Sequence, residues 1–585
     1  MSRQSRFFER FVITTAAVAL CAATAAAGGC RSSQSPPSTS TTASRNVPPQ
    51  RGGAIVVSIR TEPATFNRYA KRDSGAEFVS ILTQAKLVRI NKATQAVEPS
   101  LADSWVASDD GRKVTMRLHP GVTFSDGHPF TADDVVFSFQ AVYDERTEGP
   151  LGDSMQIQGK KLDITAVDPT TVAIVFPAAY APGVRILDNL PIYPRHKLEA
   201  ALKAGTFNQA WGPSTPPSEL AGLGPFVLAQ YSPGQRLVFE RNSRYFRTAA
   251  DGTALPYLDR ITVDITPDPS AEALRLEAGQ IDAMAIEVAP ESYATFKRAA
   301  DAGRLKLMDL GVGYNADGLW FNLKPGAFAG DPRAAWLQRD ELRKAISLAV
   351  DRKLFADTVF FGAAEPVYGP ETPANKQWYW GRPTPHDSAA AKQLLASIGL
   401  TDRNNGGMLE DAHGRPAQFT LLTQRGRPNL ERGAAVIRDE LKKIGLAVDV
   451  VALDGLALIE RFSRTRQYDA VYFTVSKTDT DPAVNLDFWS SHGGAHIWNF
   501  NQKTPATDWE RRIDDLIVQQ IAAPDPAERK RLYDQVLEIF SDHLPIVYFV
   551  APRIFVVSSA RMTNLTPALS RPQLLWAPET VAVVH

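Results

Sequence analysis

The chain has 585 residues, of which 44% are hydrophobic and 22% charged, and its 64 basic residues balance its 64 acidic ones. The balanced charge gives no electrostatic case for nucleic acid binding, and the length is enough for two or more packed domains of ordinary globular composition. After residue 50, no stretch approaches about 20 uninterrupted apolar residues, so the sequence predicts no membrane-spanning helix there.

Residues 1–29 have the pattern of a secretory signal. A basic end at 3–10 precedes an apolar run at 11–27, and small residues then lead to Cys30. The run is at the lower length limit for spanning a bilayer, and no charged stop-transfer segment follows it. We therefore predict a segment that is removed on export.

The ending at Cys30 resembles the cleavage motif of bacterial lipoproteins, with Ala27 where leucine is commonest. This resemblance implies cleavage before Cys30 and lipidation of that cysteine. Cleavage at Cys21 would place the bulky Leu20 at the cleavage site, which favours Cys30. The alternative is a plain signal peptide with an incidental cysteine.

Residues 31–50 are rich in Ser, Thr and Pro and contain almost no large apolar residues. Such a segment cannot bury a core, so we predict a flexible tether that holds a domain away from a membrane. The expected location is the periplasm or the outer cell surface, anchored through lipid. After cleavage at Cys30 the chain would contain no disulfide.

A strand–turn–helix unit is predicted over residues 113–143. Apolar and polar residues alternate over 113–118, which is typical of a half-buried strand. Residues 122–124 predict a second short strand, and Ser125-Asp126-Gly127 a turn. Thr131 then begins a helix in capping-box spacing with Asp134. The unit contains no nucleophile–base pair and no metal-ligand spacing, so it is a scaffold.

Several phrases occur in a recognisable order along the chain. They are Gly52-Gly53 with its following strand and loop, Glu98-Pro-Ser-Leu-Ala-Asp-Ser-Trp105, Phe124-Ser-Asp-Gly-His-Pro-Phe-Thr-Ala-Asp-Asp-Val-Val-Phe137, Ile192-Tyr-Pro-Arg-His-Lys-Leu198, Gly222-Leu-Gly-Pro-Phe226, Tyr231-Ser-Pro-Gly-Gln-Arg236, Glu240-Arg-Asn-Ser-Arg-Tyr-Phe246, Leu258-Asp-Arg-Ile261, Glu277-Ala-Gly-Gln-Ile-Asp282, Phe321-Asn322 and Leu342-Arg-Lys-Ala-Ile-Ser-Leu-Ala-Val-Asp-Arg352. Over nearly all of residues 51–560 the chain resembles the bacterial solute-binding proteins of peptide and nickel ABC importers (family 5).

This resemblance implies an α/β, two-lobed periplasmic-binding-protein fold of type II, with a hinge and a ligand cleft between the lobes. Lobe I is expected to comprise residues 51–89, 221–317 and 546–585, with a subdomain inserted at 90–220. Lobe II is expected at 318–545. Two chain crossings would form the hinge.

Hydrophobic periodicity in the C-terminal half agrees with an α/β architecture. Residues 419–422 predict a strand, 430–444 a long amphipathic helix, and 448–451 the next strand, which together make a β-α-β unit. Further strands are predicted at 469–475, 546–550 and 555–558.

The chemistry expected of the chain is capture rather than catalysis. The catalytic and nucleotide-binding motifs Gly-x-Ser-x-Gly, His-Glu-x-x-His and the P-loop do not occur, so we predict no enzyme activity, no catalytic residue and no cofactor. His492 and His496 flank the helix-breaking Gly493-Gly494, which favours a solvated loop over a metal site.

Peptide capture needs a carboxylate for the ligand's ammonium group and a basic group for its carboxylate. In peptide-binding relatives, an aspartate just before an Asp-Pro pair holds the ligand's N-terminus, and Asp479 matches that position with a small gap. Asp481 is the second candidate. The alternative is that both carboxylates cap the turn at Pro482.

Arg425 and Arg427 follow the strand predicted at 419–422, and strand ends at a lobe interface are common ligand sites. In dipeptide-binding relatives a similarly placed arginine pairs with the ligand carboxylate, and Arg425 fits best; the alternative is a surface arginine. Further candidates for the cleft lie after the Gly493 loop and at the start of lobe II, with core packing as the alternative for their aromatics. They are Trp498, Asn499, Phe321 and Asn322.

Three hypotheses follow for function. The first is a monomeric, lipid-anchored receptor that binds a peptide or similar solute between closing lobes and delivers it to the permease and ATPase of an ABC importer. The second is the same fold binding a nickel chelate, an oligosaccharide or an opine. The third, a secreted hydrolase or signalling lipoprotein, ranks last because the sequence offers no nucleophile or metal constellation.

Overall fold

The computed structural model describes residues 49–71, 73–477 and 479–584. The predicted signal peptide, Cys30 and the tether up to residue 48 lie outside the described residues. Among the residues described, no helix has both the length and the apolar character needed to cross a bilayer.

The largest sheet has eight strands and draws on both ends of the described chain. Seven of them follow one another in the spatial order Phe226–Ser232, Arg236–Arg241, Arg260–Ile265, Ala54–Ile59, Ala283–Met284, Val550–Ser559 and Leu305–Val312. The eighth, Ala364–Pro366, also pairs with Val550–Ser559. Ala54–Ile59 is parallel to both of its neighbours, whereas the strands at the two ends of the order are antiparallel to theirs.

A second sheet has five strands, in the order Ala447–Leu453, Gln418–Gln424, Ala470–Val475, Ala316–Phe321 and Ile546–Tyr548. The first two are parallel and are joined by the helix Pro428–Lys443, so the predicted β-α-β unit is present. Leu430, Ile437 and Leu441 are fully buried on one face of this helix. Burial of each such side chain contributes about 1.5–3 kcal/mol, which fixes the helix on the sheet.

A third sheet is antiparallel, in the order Ala102–Ala107, Lys113–Leu118, Thr171–Val175 and Asp163–Asp168. Three two-stranded pairs complete the β structure: Val88–Ile90 with Val97–Pro99, Gln156–Ile157 with Lys160–Lys161, and Met562–Thr563 with Ala582–Val583.

The other α-helices are Ser74–Thr83, Ala132–Tyr143, Leu151–Ser154, Arg195–Ala204, Pro269–Glu277, Tyr293–Asp301, Asp340–Ala349, Arg352–Phe360, Ser388–Ser397, Gly455–Ile459, Leu486–Trp489, Asp508–Ala522 and Pro526–His543. Short 3-10 segments occur at Gly183–Asn189, Pro217–Glu219, Pro290–Ser292, Pro332–Ala335, Pro482–Val484 and Pro578–Thr580, and a π-helical turn at Glu460–Thr465.

The strand–turn–helix unit forms largely as its sequence predicts. The capping box is present, with the Asp134 carboxylate accepting the Thr131 backbone N–H at 2.9 Å. The turn places Gly127 at a φ of 91°, a conformation that favours glycine. The strand predicted at 122–124 is wrong, because Thr123 makes only an isolated bridge with Pro129.

The chain passes between the two large sheets at four points, because Ala364–Pro366 belongs to the eight-stranded sheet although the strands before and after it belong to the five-stranded one. Two of these passages are short and adjacent. One crossing lies between Leu305–Val312 and Ala316–Phe321, and the other between Ile546–Tyr548 and Val550–Ser559. Each crossing is short, so the two sheets are joined by paired, closely spaced connections. A cavity lies beside these connections.

Gly222 is expected to be intolerant of any side chain. A Cβ at this position would lie 1.9 Å from the carbonyl oxygen of Thr83, the last residue of a helix. Gly222→Ala must displace backbone, so we expect a loss of about 1–3 kcal/mol or more in the free energy of unfolding, measured by urea denaturation. Gly369→Ala is the matched control, since nothing lies within 4 Å of its Cβ position; equal losses in both variants would contradict this account.

Candidate ligand-binding site

A cavity of about 890 Å³ lies beside the two crossings. Its first wall is formed by side chains from residues 68–100, 185–191 and 552–579, and its second wall by side chains from residues 313–317, 427–429 and 473–480. The volume lies within the range of roughly 300–1,000 Å³ that is usual for small-molecule sites. The two walls lie near different sheets, and a molecule bound in this space would contact both walls.

Side chains of both charge signs line the cavity. The cationic ones are Arg68, Lys86, Arg89, Lys92, Arg185, Arg247, Arg427, Lys477 and Arg571, and the anionic ones are Asp73, Glu77, Asp188, Glu287, Asp317, Asp479 and Glu579. Most of them form ion pairs with one another or with carboxylates behind the wall, as between Lys477 and Glu371 at 2.7 Å. The surface is therefore polar and largely pre-organised.

One corner of the first wall is rich in cations. Arg68 pairs with Glu77, and Lys86 pairs with Asp188 at 3.3 Å. Burial would raise the pKa of Glu77, but Arg68, Lys86 and Lys92 outweigh it and lower that pKa to about 2. Burial, reinforced by Lys86, lowers the pKa of Lys92 to about 8. This corner is suited to an anionic or strongly hydrogen-bonding part of a ligand.

An ion pair connects the two walls directly. Arg185 of the first wall donates from Nε to Asp479 Oδ1 at 2.9 Å and from Nη2 to Thr480 Oγ1 at 3.2 Å. Thr480 Oγ1 in turn donates to Gln95 Oε1 at 2.8 Å, which adds a second contact across the cavity. Only 11% of the Arg185 side chain and 10% of the Asp479 side chain are exposed. The walls are thus held together by a nearly buried charge pair.

Asp479, predicted as the anchor for a ligand ammonium group, does line the cavity. Its charge is already matched by Arg185, and Asp479 Oδ1 also accepts the backbone N–H of Asp481 at 2.8 Å. Burial nonetheless raises the pKa of Asp479, with Arg185 acting in the opposite direction. In this arrangement its carboxylate joins the walls.

Asp481 lies behind the second wall. Its carboxylate forms a two-point ion pair with Arg529, at 2.7 and 2.9 Å, and accepts the backbone N–H of Ala483 at the start of Pro482–Val484. The arrangement matches the alternative that the sequence left open, a cap on the Pro482 turn. Arg529 adds a buried counter-charge that the sequence pattern did not indicate.

Of the two predicted arginines, Arg427 lines the cavity and is exposed to solvent at its edge. Arg425 is also exposed, but it donates to the backbone carbonyl of Ala452 at 2.9 Å, on the neighbouring strand. The structure therefore brings Arg427 and Asp479 to one cavity and places Arg425 on the outer side of the strand end.

The predicted aromatic and amide residues lie in the packed interior. Trp498 donates from its indole N–H to Glu510 at 3.2 Å, and Asn499 is buried beside it. Phe321 packs against Phe419 with ring centroids 5.2 Å apart.

Asn322 donates its side-chain amide to the carbonyl of Arg466 at 3.0 Å. The second wall is thus supported from behind by these four residues, Phe321, Asn322, Trp498 and Asn499.

The prediction of a solvated loop is wrong for His496, which is buried. Its ring nitrogens lie 3.1 Å from the Phe488 carbonyl oxygen and 3.2 Å from the Glu510 carboxylate.

Sequence reasoning missed Asp317, which lies in the strand Ala316–Phe321 and lines the cavity. Its carboxylate accepts the Thr474 hydroxyl at 2.6 Å and the Asn429 amide at 3.1 Å, and only 6% of the residue is exposed. Burial raises the pKa of Asp317. The sequence did contain a signal for this residue: it is an acidic residue within a strand whose other residues are apolar or glycine.

The mixed α/β architecture, with two sheets on either side of a charged cleft, defines a two-lobed binding protein of the periplasmic type. A family model described as "Bacterial extracellular solute-binding proteins, family 5 Middle" matches residues 96–496. The chain therefore belongs to the family 5 bacterial extracellular solute-binding proteins.

Individual relatives agree with this assignment. The chain is 25% identical over 554 residues to a probable ABC transporter-binding protein of Deinococcus radiodurans, covering 89% of this chain and 91% of that one. The structure of the oligopeptide-binding protein AppA from Bacillus subtilis, in complex with a nonapeptide, superposes with a TM-score of 0.72 at 25% identity and covers 92% of this chain and 100% of that one. NikA from Brucella suis, in complex with Fe(III)-EDTA, has a TM-score of 0.75 at 22% identity and shows the shared fold, covering 91% of this chain and 100% of that one.

Proposed function

We propose that this protein is a receptor that captures a peptide outside the cytoplasm and delivers it to the permease and ATPase of an ABC importer. The cavity between the two walls is the observation that carries this proposal. It has the volume for a small ligand and polar groups of both signs, and its walls are bridged by the Arg185–Asp479 pair beside two short crossings between the sheets. A binding protein that closes around its ligand needs these properties.

A peptide suits this lining better than an uncharged solute does. A peptide carries an ammonium group, a carboxylate and a series of amides, and the cavity offers carboxylates, cations and hydrogen-bonding side chains such as Asn375 and Asn429. The nonapeptide held by the relative AppA supports this class of ligand. We infer that the protein acts by binding and not as an enzyme.

A metal chelate is the second candidate ligand. The relative NikA holds Fe(III)-EDTA, and the cation-rich corner of Arg68, Lys86 and Lys92 would suit the carboxylates of such a complex. Oligosaccharides and opines remain further alternatives within the same fold.

We propose the lobe boundaries from the sequence, with lobe I at residues 51–89, 221–317 and 546–585, an insert at 90–220, and lobe II at 318–545. The short crossings near residues 313–315 and 549 support them. Two strands depart from this division: Ala364–Pro366 pairs in the eight-stranded sheet and Ile546–Tyr548 in the five-stranded one. The lipobox-like ending at Cys30 supports attachment to a membrane through a lipid anchor, and we propose that the protein is a monomer.

Ligand titrations with the purified protein, followed by intrinsic tryptophan fluorescence, test the proposed ligand class. A mixture of short peptides is expected to shift the emission in a saturable manner, whereas a nickel–histidine complex and a neutral oligosaccharide are expected to leave it unchanged. A saturable response to the chelate or the sugar, with none to peptides, would refute peptide capture.

A further inference from the structure

We propose that Asp317 binds the ammonium group of the ligand, and that Asp479 serves to hold the two walls together. The inference deepens the proposed function and rests on it, because it assigns the group that recognises the amino terminus of a captured peptide. The expected ligand is a peptide with a free amino terminus, in preference to one whose terminus is blocked.

Asp317 is buried without a direct ion-pair partner among the described residues, and Arg427 acts on it only through longer-range attraction. Among the residues that the structure describes, no lysine or arginine nitrogen lies within 4.0 Å of its carboxylate. Its two oxygens accept from neutral groups, the Thr474 hydroxyl and the Asn429 amide. A buried carboxylate is costly unless a cation compensates it, and a ligand ammonium would supply that cation.

The Asp317 carboxylate is held in place and faces the ligand space. Asp317 belongs to a central strand of the five-stranded sheet, paired on one side with Ala470–Val475, which carries Thr474. Asn429, Thr474 and Asp317 all line the cavity. A carboxylate fixed by two hydrogen bonds on a rigid strand is pre-organised for an incoming donor.

Asp479 differs from Asp317 because its charge is already paired. Its Oδ1 is engaged by the Arg185 guanidinium at 2.9 Å, and that arginine also contacts Gln95 and Thr480. A ligand ammonium would have to displace this network to reach Asp479. At Asp317 the ammonium would meet a carboxylate that accepts hydrogen bonds from the neutral Thr474 and Asn429, so the charge-assisted hydrogen bond is gained without breaking an ion pair.

The test compares free and blocked peptides on matched variants. A mixed-sequence library of tetrapeptides and the same library after N-acetylation are each equilibrated with the wild type, Asp317→Asn and Asp479→Asn by dialysis. Bound peptide is then quantified by mass spectrometry. The wild type is expected to retain the free-amine library at least ten-fold better than the acetylated one.

Asp317→Asn should abolish that preference, because asparagine has the same shape but no charge. Asp479→Asn should weaken retention of both libraries alike and keep the preference. Thermal denaturation of the unliganded proteins separates binding from folding, since removing a buried charge that has no direct ion-pair partner should leave Asp317→Asn at least as stable as the wild type.

Equal retention of free and acetylated peptides by the wild type, or an unchanged preference in Asp317→Asn, would overturn the role of Asp317 and leave peptide capture intact. Loss of the preference in Asp479→Asn alone would assign the ammonium to Asp479 instead. Retention of neither library by the wild type would overturn peptide capture itself, and the inference with it.

Discussion

Replacing Arg529 by methionine is expected to destabilise the folded protein by about 3–5 kcal/mol. Arg529 and Asp481 form a two-point ion pair at 2.7 and 2.9 Å, and their side chains are only 8% and 11% exposed. The Arg529 guanidinium also lies 5.0 Å from the ring centroid of Trp378. Without it, the carboxylate of Asp481 would remain buried and uncompensated behind the second wall.

The free energy of unfolding from urea denaturation tests this expectation. The double variant Arg529→Met with Asp481→Asn should be more stable than Arg529→Met alone, because it removes the orphaned charge as well as the partner. Arg382→Met is the matched control: its ion pair with Asp542 is equally short, at 2.7 Å, but both side chains are more than half exposed. That control should cost about 1 kcal/mol or less. A similarly small loss for Arg529→Met would contradict the account.

Replacing Arg185 by methionine is expected to weaken ligand binding by about 2–5 kcal/mol, or roughly 30-fold or more. With the walls in contact, as in this structure, Asp479 is nearly buried, and in this variant it would be buried without its partner. The closed state would therefore lose stability relative to the open one, and ligand affinity would fall with the closed population.

Titration calorimetry with a peptide that binds the wild type measures this loss. The combination of Arg185→Met with Asp479→Asn should recover part of the affinity, because no uncompensated carboxylate is then buried on closure. Small-angle X-ray scattering of the liganded Arg185→Met protein should show a larger radius of gyration than that of the liganded wild type. Unchanged affinity, or a double variant as weak as the single one, would show that the pair does not contribute to closure.

The elements of the fold were predictable where the apolar pattern was long and regular. The strand–helix–strand unit around Pro428–Lys443 was identified because its apolar positions recur on one helical face and its flanking strands are short apolar runs. The prediction of a strand at 122–124 was wrong because a pattern of three residues is too short to distinguish a paired β-strand from an isolated β-bridge.

The site was predictable only in part, since its contacts join residues that are far apart in the chain. The resemblance to peptide-binding relatives indicates Asp479, but its partner Arg185 is 294 positions away. Asp317 gains its burial and its hydrogen bond from Thr474, 157 positions later. Trp498 looked suited to a cleft, yet its indole N–H is satisfied by Glu510 in the interior. Local pattern does not reveal which charges tertiary packing brings together.

The central claim is that the cavity between the two walls holds a peptide. Native mass spectrometry of the protein purified from its host under mild conditions tests it most directly, because a co-purified ligand adds its own mass. The account predicts one or more adducts that are released by acid and fragment as peptides with free amino termini. Adducts that fragment as a sugar, an opine or a metal chelate would contradict it.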